Sequence, residues 1–80
     1  MERGDIVKFN KKIDWKIKEG SQWRVSLAAK KYNAIMFTKI GAKGQLLKPE
    51  SEINRIVLNG NEMDRYLQSG EAEMNGVFQG

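Results

Sequence analysis

The chain has 80 residues, with 14 Lys and Arg against 10 Asp and Glu, a formal net charge of +4, no histidine and no cysteine. This excludes disulfide staples, thiolate zinc sites, the commonest general base and the thiol nucleophile, and it bounds the chain to one small domain burying about 60% of its unfolded surface. No apolar run approaches the roughly 20 residues of a membrane span, no signal-peptide core is present, and the missing staples favour a cytoplasmic setting.

The charge is unevenly placed. Residues 1–48 hold 12 Lys/Arg and 4 Asp/Glu, a balance of +8, while residues 49–80 hold 2 and 6, a balance of −4. A basic body joined to an acidic end suits a polyanionic partner. Charge alone reads equally well as a solvated sheet that uses lysine to keep its edges soluble.

Asp5–Phe9 (DIVKF) follows Gly4 and alternates weakly, a short strand or ordered arm within residues 1–12. Ile13, Trp15 and Ile17 alternate with Asp14, Lys16 and Lys18, which predicts a strand with its lysines on one face. Gly20-Ser21 signals a turn into the central element, a β-hairpin. Trp23, Val25 and Leu27 alternate with Gln22, Arg24 and Ser26 in its first strand, and Ile35-Met36-Phe37 supply its second, ending near Ile40. Lys30-Lys31-Tyr32-Asn33 form the tip, where Asn tolerates turn geometry. Gly41-Ala42-Lys43-Gly44 then make a basic connection, and the Leu46-Leu47 run ends at Pro49 or lies on an edge.

Pro49 and the acids Glu50 and Glu52 suit a helix start, with Ile53, Ile56 and Val57 as its stripe. The β-rich run Arg55–Leu58, stopping at Asn59-Gly60, favours a strand instead. Asn61 as N-cap, Asp64 three residues later, the stripe Met63, Tyr66 and Leu67, and Gly70 as a stop predict a short amphipathic helix. Residues 71–80 read as a flexible tail in which Val77-Phe78 is an apolar pair able to dock. Residues 13–70 thus form a sheet plus helix, and residues 1–80 a single α+β domain. Its sheet is small and mainly antiparallel, with four to five strands, because the connections are too short for parallel crossovers.

The stretches WKIKEGSQWRVSL, AIMFTKI and RIVLNGNEMDRYLQ, with a glycine-containing basic loop between the last two, resemble the positive-cofactor-four family of single-stranded-DNA-binding transcription cofactors. The resemblance covers about two thirds of the chain and rests on patterns. It implies four strands followed by a helix, a homodimer formed through that helix, and unpaired DNA gripped by basic, aromatic-bearing hairpins. The loop from Gly41 to Ile53 lacks the family's compact basic-glycine lead into its last strand, and the helix is short.

The candidate phosphate contacts are Lys16, Lys18, Arg24, Lys30, Lys31, Lys39 and Lys43, which set affinity and salt dependence without reading sequence. Trp15, Trp23, Tyr32 and Phe37 are the candidate stacking residues, since every unpaired base offers a π-face. Trp15, Trp23 and Phe37 read more simply as core. Tyr32, beside two lysines at a turn, is the foremost candidate. Met63, Tyr66 and Leu67 are core or the dimer contact. No metal-binding spacing, phosphate-loop pattern or cofactor motif is present, and the chain reads as non-enzymatic. A binder of single-stranded DNA in transcription or replication leads. The competing class is a small SH3-like protein-binding module, such as a phage or mobile-element product that modulates a host protein.

Overall fold

The computed structural model describes residues 1–78. Five strands, β1 (Asp5–Phe9), β2 (Gln22–Ala29), β3 (Ala34–Ile40), β4 (Arg55–Asn59) and β5 (Ala72–Val77), surround one helix, α1 (Gly60–Ser69), placed between β4 and β5 in the chain. The sheet order is β4-β3-β2-β1-β5, and every neighbouring pair is antiparallel. β1 to β4 form a meander, and α1 carries the chain from one edge of the sheet back to the other. The α+β class follows from this arrangement.

The period-2 alternation aligns one face across the strands. Val7 pairs with Trp23, Val25 with Phe37, Phe37 with Ile56, and Phe9 with Ala72. These side chains are buried, and Met63 of α1 and Ile17 of the β1–β2 connection close over them. The Phe9 and Tyr66 rings meet edge to face with centroids 6.1 Å apart. Burying residues of this size contributes roughly 1.5–3 kcal/mol each, and this layer holds a fold that has no staples.

One expected strand does not form. Residues 13–17 are a compact loop, because the Asp14 carboxylate accepts from the main-chain N–H groups of both Lys16 and Ile17 at 2.8 Å. A short polar side chain that bonds the nearby backbone competes directly with a strand ladder. The loop buries Ile17 and leaves Trp15 on the surface, so Trp15 is not core. The Leu46-Leu47 run stops short of Pro49, with one isolated bridge from Leu46 to Ile40.

Helix α1 is capped at Asn59 instead of Asn61. The Asn59 side chain accepts from Asn61 N–H at 2.7 Å, and Glu62 reaches back to Asn59 N–H at 3.2 Å, a reciprocal box that Asp64 plays no part in. Gly70 ends the helix in the left-handed region, with φ 81°. Met63 faces the chain's own sheet with 0% exposure, and Tyr66 and Leu67 are partly buried against the same cluster. Met63 is thus covered within one chain, and Tyr66 and Leu67 are covered in part.

Residues 72–77 are a strand where a flexible tail was expected. Asn10 N–H donates to the Glu71 carbonyl and Phe78 N–H to the Gly4 carbonyl, both at 2.8 Å, which ties β5 down at each end of β1. Its alternation, Ala72 and Met74 against Glu73 and Asn75, spans only four residues before a register shift interrupts it, and only Ala72 is buried. Residues 79 and 80 lie outside the described residues.

Candidate nucleic-acid interface

The β2–β3 hairpin ends in a single turn of 3-10 helix, Lys30–Tyr32, followed by Asn33 in the left-handed region at φ 52°. Asn33 fixes this tip to the start of α1. Its Nδ2 donates to Asn59 Oδ1 at 3.2 Å, and its carbonyl accepts from Gly60 N–H at 2.9 Å. A Cβ on Gly60 would meet the Asn33 side-chain amide, which would have to shift and give up its place against the helix start. Lys30, Lys31 and Tyr32 consequently project from an anchored turn. Tyr32 is 74% exposed, and Lys31 Nζ lies 5.7 Å from its ring centroid.

A β-bulge reshapes the rest of the hairpin. The β2–β3 register shifts between Val25 and Leu27, and Ser26 Oγ donates to the Met36 carbonyl at 3.2 Å. Leu27, which strict alternation places beside Trp23 and Val25 on the buried face, is turned to the opposite face and is 52% exposed. Ala28 takes the core-side position, opposite Ile35.

The face of the sheet away from α1 follows from the register. One row runs Ile6, Arg24, Thr38, Arg55, and the next runs Leu27, Met36, Val57. Lys8 lies opposite Gln22 on one side and Glu73 on the other, and Asn75 Nδ2 donates to Gln22 Oε1 at 2.7 Å. The Arg24 guanidinium sits 5.4 Å from the centroid of Phe78, and its buried Nε has no hydrogen-bond partner. Sequence reasoning did not select Lys8, Arg55 or Phe78. The alternation of Lys8 with Val7 and Phe9, and of Arg55 with Ile56, was the available signal.

The structure divides the sequence-selected cations. Lys30 and Lys31 join Tyr32 at the tip. Arg24 lies on the helix-free face. Lys39 pairs with Trp23 on the opposite, core-side face, its Nζ 5.9 Å from the indole. Lys18 and Lys39 line a cleft of about 540 Å³ at the far end of the hairpin, whereas Lys43 is exposed in the adjoining loop and does not line it. Lys16 serves the scaffold: its Nζ donates to the carbonyls of Glu52 at 3.1 Å and Arg55 at 3.4 Å, on the outer side of β4. Among the stacking candidates, Trp23 and Phe37 are core, whereas Tyr32 and Trp15 are on the surface.

Among the described residues no group of His, Cys, Asp or Glu is placed to hold a metal ion, and no helix is long and apolar enough to cross a membrane. In comparison with known proteins, the chain matches no family model, no curated protein and no solved structure. The fold and its surface define an antiparallel α+β domain with an anchored basic hairpin tip and a helix-free sheet face on which Arg24, Arg55 and Lys8 outnumber Glu73.

Proposed function

We propose that this is a non-enzymatic cytoplasmic protein that binds single-stranded nucleic acid, DNA foremost, without strong base preference, in transcription or replication. The β2–β3 tip is its primary contact. The observation that carries the reading is Tyr32, a 74%-exposed aromatic beside Lys30 and Lys31 on a turn that Asn33 pins to the helix start. An exposed ring accepts a stacked base of any identity, and the two ammonium groups neutralise adjacent phosphates. Duplex DNA offers no unpaired π-face to Tyr32 and binds more weakly.

The test is a titration of labelled oligo-dT at two salt concentrations with native protein and Tyr32→Ala, together with their melting temperatures. Tyr32→Ala removes stacking worth about 1–3 kcal/mol per base and leaves the melt unchanged, because the ring packs on nothing in the core. Lys31→Ala weakens binding to all sequences alike and lowers the salt slope by up to about one unit. Native protein that binds no oligonucleotide, or binding that is flat in salt, refutes the proposal.

A further inference from the structure

We infer that the bound single strand continues from the hairpin tip across the helix-free face of the sheet, over the Leu27–Met36–Val57 row to the Arg24–Phe78 pair. This rests on the reading of the tip given above. Among the described residues no element packs over this face, and its residues differ from those of an ordinary solvated sheet surface.

Its middle row is aliphatic and contiguous. Leu27 and Val57 are 52% and 60% exposed, with Met36 directly between them in register. The adjoining row contains Arg24 and Arg55 on either side of Thr38, which is itself buried. Lys8 adds a third cation, with Glu73 as its acidic neighbour.

These charges select the occupant. A second copy docked face to face would add its own Arg24, Arg55 and Lys8 to a face that already carries a net positive charge, so self-association on this face is opposed. A polyanion is favoured. The Arg24–Phe78 pair points to one with planar groups, since a guanidinium plane against an aromatic edge or face is a surface on which a base stacks. The aliphatic row lies between this pair and Tyr32, where sugars and base edges cross it. From Arg24 to the tip β2 runs over Arg24–Ala29, a path of about 20 Å. That length suits a site at the short end of the roughly 4–16 nucleotides taken by small single-strand-binding domains.

The experiment measures affinity for oligo-dT of about 3 and about 10 nucleotides at two salt concentrations. Native protein, Arg55→Gln, Arg24→Gln, Leu27→Ser and Tyr32→Ala are compared. Arg55 is exposed, so its variant stays informative if Arg24→Gln disturbs the fold. The longer oligomer binds native protein more tightly. Arg55→Gln lowers its affinity about tenfold and its salt slope by about 0.7, while affinity for the short oligomer is unchanged. Leu27→Ser weakens only the longer oligomer. Equal affinity for both lengths, with no effect of Arg55→Gln or Leu27→Ser, overturns the path and leaves the tip reading standing. Loss of the short oligomer with Tyr32→Ala is the separate mark of the tip. Absence of binding by native protein overturns both.

Discussion

Replacing Asn33 tests whether the tip is held as its geometry indicates. Asn33→Ala puts an ordinary side chain at φ 52°, at a cost of roughly 1–2 kcal/mol. It also removes the Nδ2 bond to Asn59, an exposed bond with a net contribution of about 0.5 kcal/mol, at the low end for neutral hydrogen bonds. The expected loss is about 2 kcal/mol, which for a domain of this size lowers the melting temperature by roughly 8–16 °C. Asn33→Gly adopts the left-handed region freely and keeps the main-chain bond to Gly60, so it loses only the side-chain bond and some unfolded-state entropy, about 1 kcal/mol. Alanine therefore destabilises more than glycine, opposite to the usual preference in regular structure. Thermal and urea unfolding of the two variants give the comparison. Equal stability of Asn33→Ala and native protein, or a glycine variant weaker than the alanine one, refutes the account of the tip.

Met63→Ala removes a side chain of 0% exposure between α1 and the sheet and costs about 2–5 kcal/mol by urea unfolding; a loss below about 1 kcal/mol means that the helix does not close the core. Truncation after Gly70 removes β5, exposes the outer side of β1 and abolishes the cooperative melt. A truncated chain that melts like the full one shows β5 to be dispensable.

The parts of the fold legible in the sequence are those where pattern and packing agree. Trp23 and Val25 alternate with Gln22 and Arg24 and occupy opposite faces, Asn33 takes the turn, and Gly70 stops the helix. The misread parts are places where a side chain bonds the backbone or a strand bears only a short pattern. Asp14 folds residues 13–17 into a loop despite their alternation, and the bulge at Ser26 reverses the face of Leu27. The helix begins two residues early because Asn59 and Glu62 cap it in preference to Asn61 and Asp64. β5 was missed because its period-2 signal, Ala72 and Met74 against Glu73 and Asn75, is only four residues long and ends at a register shift. The candidate site shared this limit. Tyr32 was legible because its neighbours are polar, whereas Phe78 reaches the sheet face through a strand that the sequence did not announce.

The Lys16 contacts on β4 bear on solubility. An edge strand is a template for another chain, and here its outward groups are taken at both ends. Lys16 covers the Arg55 carbonyl, Arg55 N–H turns back to Glu52, and Asn59 N–H is held by Glu62. By the alternation of a strand, Val57 between them is left with its own donor and acceptor facing outward. A foreign strand approaching β4 finds one residue to pair with, too little to seed a growing ladder. The ammonium group that the charge pattern suggested for DNA thus keeps one edge of the sheet from recruiting its own kind at high concentration.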